Sequence, residues 1–365
     1  MSNDKLNRKL KILLVTPLPR NMSFGGIGSW AARFVDAMSK SVEIRIVNST
    51  PVDSKGNDIA RSKNIIKKLK CNLKVLKQIR KEIHIFNPDI VHINSSCTPL
   101  ACARDNLFLK TIHKSHLSNV LHCHCNVKDQ IHNSRFGLFF LKRNLRLASH
   151  TLTLNKDSYE YITNLGGTDL KCSIMPNFLS ENTLAKTKTI NEHIKNISFV
   201  GHLVKQKGIE DIKYLASEFP ELHFILVSGY TEEYPNSYVL PSNIEITGTL
   251  PINDVFQILD KSDVFLLPTY SEGFSYALLE AMARGVPIIT TNVGANADML
   301  ENKGGCIVSC GSTEELKNAL IMIDDCSKRK QMSAWNIHKV KSSYTENTVL
   351  KLFVNLYYEL SNIKE

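Results

Sequence analysis

The sequence has no Cys-x-x-Cys pair. Its nine cysteines are odd in number and scattered, which argues against a disulfide framework and for reduced thiols used as small core residues. No apolar run approaches the roughly 18 to 20 residues of a membrane span, and the polar start MSNDKLNRK lacks the apolar centre of a signal peptide. The expectation is a protein made and kept in the cytosol. A Gly-Lys-Ser/Thr phosphate loop is missing too, and there is neither an internal repeat nor a low-complexity tract. Acidic charge is scarce in one half only. Residues 1 to 180 hold 28 Lys or Arg against 12 Asp or Glu, a net of +16, whereas residues 181 to 365 hold 17 against 23, a net of −6. A basic half that meets an anionic partner and a second half with separate work follow from that split.

What is present reads as two α/β units. At roughly 150 residues per domain, 365 residues suggest two domains, each able to bury a core. KILLVTP (11–17) reads as a buried parallel strand, and the loop Phe24-Gly25-Gly26-Ile27-Gly28 leads from it into the apolar-periodic helix SWAARFVDAMSK. Strands follow at VEIRIV, DIVHIN, NVLHCHC and HTLTLN with helical patterns between, the signature of a parallel sheet wound on both faces. The pattern pauses at IMPNF, and SENTLAKTKTINEHIK has linker character, so domains are expected at 1–180 and 190–344. The second unit contributes the strands NISFV, LHFILVSG and DVFLLPT, and a last amphipathic helix fills 345–365.

The segment PTYSEGFSYALLEAMARGVP, residues 268–287, carries the most chemistry. DVFLLP is a strand-length run ending at Pro268, YALLEAMA is built of helix formers, and Gly285 and Pro287 stop the helix. Glu272 therefore sits on the loop and Glu280 about two turns into the helix. Backbone N–H groups of Phe274, Ser275 and Tyr276 face out of the helix start, where phosphate binds. Two acids for hydroxyls and amides for a phosphate would read a nucleotide-sugar. A solvated acidic helix after an ordinary glycine turn fits the spacing equally well.

Ser271, Glu272, Gly273, Phe274, then Leu278, Leu279, Glu280, Ala281, Met282, Ala283, Gly285, Pro287 and Ile288 closely resemble the signature of the family 4 retaining glycosyltransferases. The resemblance implies the GT-B fold: two facing Rossmann-like domains with parallel sheets and a cleft between them, the last helix often crossing back to the first domain. It implies transfer of a sugar from a UDP- or GDP-linked donor to a glycan or lipid-linked acceptor, in cell-surface polysaccharide or lipopolysaccharide synthesis. The nucleotide-sugar is a co-substrate, and no cofactor is expected. Asp-x-Asp, the metal-diphosphate site of the other large transferase fold, is absent, so no metal is expected either. The departing diphosphate is left to fixed cations and helix starts. Lys207 in GHLVKQKG matches a cation that touches the diphosphate. The partner arginine of the pattern is His202 here, which cannot fork around two oxygens as Arg does; a protonated His202, help from Lys205 or weakened turnover are the alternatives. From the residues alone, Lys207 reads rather as a solvated loop lysine.

In NVLHCHC, His122 and His124 share one strand face while Cys123 and Cys125 share the other, which speaks against a zinc site. The resemblance places a histidine at this strand's carboxyl end against the donor sugar. His124 is the choice, with His122 its runner-up, and His92 is read as structural. Gly25 and Gly26 match the glycines of the donor-site floor, where absent side chains let the donor approach the backbone. The implied mechanism retains configuration, with the leaving diphosphate helping to take the acceptor proton and both glutamates positioning rather than attacking.

Residues 61–83, RSKNIIKKLKCNLKVLKQIRKEI, carry nine cations and one acid around an apolar face, and SRFGLFFLKRNLRLASH sets Phe136, Phe139 and Phe140 among Arg135, Lys142, Arg143 and Arg146. Both suit an anionic membrane surface, which implies a peripheral protein on the cytoplasmic leaflet. A core-packing helix with a solvated outer face is the sober alternative for the first. No motif for specific nucleic-acid binding accompanies the sequence pI near 9.0. A nucleotide-sugar epimerase on a similar scaffold, or a catalytically silent relative, remain the rival readings.

Overall fold

The apolar runs assemble into two separate six-stranded sheets in which every paired strand is parallel. The architecture comes from a computed structural model that describes residues 8–18, 26–50 and 65–361. The chain divides into one unit of Met1–Asn177 with Val349–Glu365 and a second of Phe178–Thr348.

The first sheet holds β1 (Lys11–Thr16), β2 (Glu43–Asn48), β3 (Ile90–Ser95), β4 (Ser118–Cys123), β5 (His150–Thr153) and β6 (Cys172–Ile174), in the order β2-β1-β3-β4-β5-β6. Strand alternation sorts its side chains onto two faces. Leu13, Val15, Val91, Ile93, Leu121 and Cys123 pack with Val75, Leu76 and Ile79 of the helix Ile65–Phe86, Phe108, Leu109 and Ile112 of Pro99–Lys114, and Leu141 and Leu145 of Arg135–Leu147. On the opposite face His92 and His122 meet Trp30 of the helix Gly26–Met38 and Phe353 of Glu346–Ser361. With both faces covered, β3 is buried along its whole length.

The second sheet holds β7 (Asn196–Val200), β8 (His223–Val227), β9 (Ile244–Ile246), β10 (Val264–Leu267), β11 (Ile288–Thr291) and β12 (Gly305–Val308), ordered β12-β11-β10-β7-β8-β9. The chain winds from β7 to β8 and β9, then returns to place β10 on the other side of β7.

Three sequence expectations shift. The first unit ends at Asn177, and the segment read as a linker belongs to the second unit. Its polar residues are used there: Lys188 Nζ donates to the carbonyls of Leu259 and Asp260 at 3.0 and 2.8 Å, and Asn191 to Asp263 at 2.7 Å. Burial pushes the Lys188 ammonium down to about 8. The terminal helix runs Glu346–Ser361, and from Val349 onward it is part of the first unit's core. The basic helix Ile65–Phe86 does not keep one apolar face inward throughout. Ile79 is fully buried, but Ile66, Leu69 and Leu73 are 67%, 53% and 46% exposed.

Candidate donor-side active site

In a wound parallel sheet the loops leaving two adjacent strands diverge where the winding reverses, and ligands bind at that opening beyond the carboxyl ends. In the second unit this point lies between β7 and β10, and the two loops leaving it are GHLVKQKG and PTYSEGFSY. They are knitted together. Tyr270 N donates to Gln206 O at 2.8 Å, and Thr269 Oγ1 to the same carbonyl at 3.2 Å. Gly208, at φ 75°, packs so tightly that a Cβ would sit 2.1 Å from Pro268 O. A third loop, after β11, buttresses the second: Gly294 (φ 54°) leaves 2.1 Å between a notional Cβ and Glu272 O, and Ala295 N donates to Gly273 O at 3.1 Å. Both positions require glycine, since each combines a left-handed backbone with a backbone oxygen where a methyl would go.

This framework brings Lys207 and Glu272 together. The ammonium donates to the carboxylate, with the two side chains 23% and 13% exposed. Beyond Glu272 the helix Tyr276–Ala283 begins, capped by Ser275, whose Oγ accepts from Leu278 N at 3.3 Å. The helix starts at Tyr276, so Glu280 lies little more than one turn in, not two, and it is 6% exposed. Phe274 is buried edge-on to Tyr344, ring centroids 5.4 Å apart. His202 is exposed, as is Lys205, whose backbone N donates to the Glu233 carboxylate at 2.8 Å. Nearby, burial pushes the Tyr270 phenol up to about 12, reinforced by the neighbouring Asp211 carboxylate, and burial also raises the Asp211 carboxyl.

The other predicted residues lie in the first unit. Gly25 falls outside the described residues; Gly26 opens the helix Gly26–Met38 and is exposed. β4 stops at Cys123, and His124 is the next residue but one strand rung persists, its N donating to Ser95 O at 2.9 Å. His122 and His124 do share a face, ring centroids 3.8 Å apart. His122 has no exposure and no partner among the described residues for either ring nitrogen, whereas His124 is partly exposed and its Nε2 meets Asn94 Oδ1 at 2.9 Å. His92 bonds Tyr357 through Nδ1 at 2.5 Å. Burial lowers His92 to about 3, and burial with neighbouring imidazoles lowers His122 and His124 well below the usual range.

Sequence reasoning missed Asn94, Thr16 and the grouping of cysteines. On the opposite sheet face Cys97, Cys123 and Cys125 are buried in one cluster, and the neighbouring thiols hold Cys97 below the ordinary thiol range. The one available signal for Asn94 was the polar pair Asn94 and Ser95 at the carboxyl end of β3.

Residues 194–324, which contain both loops, match the family model of glycosyl transferases group 1. Over that segment the chain is similar to glycosyl transferases group 1. Among curated relatives it is 26% identical over 180 residues to the capsular polysaccharide biosynthesis glycosyltransferase CapM of Staphylococcus aureus, a match covering 47% of this chain and 47% of that one. The chain thus spans about half the length of that relative. It is 25% identical over 334 residues to the Escherichia coli UDP-Gal:alpha-D-GlcNAc-diphosphoundecaprenol alpha-1,3-galactosyltransferase, covering 80% of this chain and 83% of the relative. Among solved structures, the sucrose-phosphate synthase of Thermosynechococcus elongatus superposes with a TM-score of 0.78 at 15% identity, over 98% of this chain and 100% of that one. The fold of the chain is GT-B, with one Rossmann-like parallel sheet in each unit.

Proposed function

We propose that this protein is a metal-independent, retaining glycosyltransferase of family 4 that moves a sugar from a UDP- or GDP-linked donor to a hydroxyl of a lipid-linked or glycan acceptor in cell-surface polysaccharide assembly. The pairing of Lys207 with Glu272 where the second sheet's winding reverses, inside the segment matching group 1, carries the reading. A leaving pyrophosphate needs a fixed cation at its oxygens. Lys207 supplies one and the start of the helix Tyr276–Ala283 a partial positive charge. Glu272 holds Lys207 in place and accepts sugar hydroxyls. Glu280 grips the ribose, His124 touches the sugar, and Gly25 and Gly26 let the donor approach the backbone. The acceptor hydroxyl attacks from the face the diphosphate leaves, and the diphosphate receives the proton. The name of the E. coli relative, which joins a UDP donor to a diphospholipid-linked acceptor, supports this substrate class.

The apolar and basic ends of the helices Ile65–Phe86 and Arg135–Leu147 fit docking on the anionic cytoplasmic leaflet, where such acceptors lie. Phe136 and Phe139 are 51% and 54% exposed, and the Arg143 guanidinium sits 5.4 Å from the Phe139 ring centre. No helix among the described residues is long and apolar enough to cross a membrane.

A thermal-shift screen against UDP, GDP and their common sugars tests the reading. A donor at 100 times its dissociation constant stabilises the fold by about 2.7 kcal/mol. Wild-type protein that no nucleotide-sugar stabilises, or a Lys207→Ala variant stabilised as well as wild type, would refute it.

A further inference from the structure

Thr16 at the end of β1, Asn94 near the end of β3 and His124 just past β4 form a line across three adjacent strands at the carboxyl edge of the first sheet. Thr16 and Asn94 are 0% and 1% exposed, so the line is dry except at its His124 end. The Asn94 amide nitrogen donates to Thr16 Oγ1 at 2.9 Å, which turns the amide oxygen toward His124 Nε2, also at 2.9 Å. An amide oxygen only accepts, so Nε2 must carry the hydrogen. In a neutral imidazole the proton on one nitrogen leaves the other a bare acceptor. His124 Nδ1 has no partner among the described residues. The ring itself cannot swing, since Trp30 meets it edge to face at 4.7 Å and His122 lies against it at 3.8 Å.

We infer that Asn94, held by Thr16, is a positioning residue that fixes His124 as the Nε2–H tautomer, so that Nδ1 accepts a hydrogen bond from a donor-sugar hydroxyl. The hydroxyl half of this inference rests on the function proposed above; the tautomer half does not. It makes His124 a reader of O–H groups. A sugar that presents a carboxylate or a carbonyl oxygen to Nδ1 meets two lone pairs facing each other, while a hydroxyl matches.

Nitrogen chemical shifts of the histidine rings test the assignment in full-length, ligand-free protein labelled with 15N-histidine, the His124 pair being assigned by its loss in His124→Gln. The expected wild-type spectrum has a protonated Nε2 and a bare Nδ1. Thr16→Val, which lets the amide turn over, and Asn94→Leu, which removes it, are each expected to give a mixture of tautomers. Asn94→Asp keeps an accepting oxygen and is expected to keep the Nε2–H form. A protonated Nδ1 in the wild type overturns the inference whether or not any variant folds, as does an unchanged spectrum in folded Thr16→Val and Asn94→Leu. Turnover of UDP-glucose and UDP-galactose adds a second readout. Asn94→Leu is expected to lose at least about tenfold in kcat/KM, with Asn94→Asp largely rescued, because an imidazole in the wrong tautomer loses its catalytic contact. Equal turnover by wild type and Asn94→Leu overturns it. If no UDP- or GDP-sugar stabilises or reacts with wild type while it shows the Nε2–H spectrum, the transferase reading falls and the role of Asn94 stands.

Discussion

Lys207 and Glu272 are each other's counter-ion, so changing either alters two charges at once. On the proposed role, Lys207→Ala removes the pyrophosphate's cation and leaves Glu272 to repel it. The expected loss in kcat is about 10²- to 10³-fold, the scale for deleting one electrostatic donor. Glu272→Gln keeps the shape but frees the lysine; it should bind nucleoside diphosphate at least as tightly while turning over slowly. Steady-state kinetics beside calorimetric UDP binding separate the two effects, and rates unchanged by EDTA are expected for both wild type and variants. The histidines set a second residue-scale expectation. His92, His122 and His124 are all depressed by burial, so below the unfolded value near 6.5 the unfolded chain takes up protons that the folded one refuses. Their contribution is therefore intact at neutral pH and is lost as pH falls below about 6.5, at up to about 1.4 kcal/mol per pH unit for each histidine. Urea midpoints measured at pH 7, 6 and 5 should drop with that slope and drop less steeply in His122→Phe. The residues of the donor loop were readable from one motif because their chemistry is local in sequence. Asn94 and Thr16 were not, since they act only when β1, β3 and β4 stand side by side.

At the scale of the element, long strands and helices announced themselves by periodicity, and short ones did not. β6 and β9 have three residues each, too few for alternation to show, and β11 and β12 are four-residue runs hidden behind the helix stop at Gly285 and Pro287. The helix Ile65–Phe86 was legible as amphipathic, yet only the structure divides it into a buried C-terminal half and an N-terminal start with bare Ile66, Leu69 and Leu73. The starts of Pro99–Lys114 and Arg135–Leu147 touch, Gly137 lying against Pro99, and they expose Leu100 at 67% and Phe136 at 51%. Helices that follow parallel strands all begin at the sheet's carboxyl edge, so these apolar starts crowd the edge that also holds His124. A lipid-linked acceptor would reach that edge from a membrane. Sedimentation with vesicles of phosphatidylglycerol and phosphatidylcholine should recover wild-type protein at low salt. Phe136→Ser/Phe139→Ser should weaken recovery roughly tenfold or more, since each aromatic inserted is worth at least about 1.5 kcal/mol. Equal recovery of both proteins would leave the patch without a membrane role.

At the scale of the whole molecule, the charge asymmetry of the halves was countable from the sequence, and so was the existence of two domains. What the linear text could not show is that the last helix completes the first domain's core. Phe353 has no exposure; its ring lies 5.0 Å from Phe34 and 5.9 Å from His122, and Tyr357 hydroxyl bonds His92 at 2.5 Å. Ser118 Oγ also donates to Leu360 O at 2.8 Å, tying the helix end to the start of β4. The face of the sheet carrying His92, His122 and the Thr16–Asn94–His124 line is therefore walled by residues 242 to 265 positions away in sequence. Phe353→Ala should cost about 3 to 5 kcal/mol, the range for emptying a buried phenylalanine site. The loss should appear in the first unit alone, because the cavity opens there. Hydrogen exchange followed by mass spectrometry distinguishes the cases: faster exchange in β1, β3 and β4 with β7, β10 and β11 unchanged is the expected pattern. Uniform acceleration across both sheets would mean instead that the two units unfold as one cooperative body. UDP added at saturation sharpens the contrast, since a ligand held by the Lys207 loop protects the second sheet directly and leaves the Phe353→Ala defect in the first uncorrected.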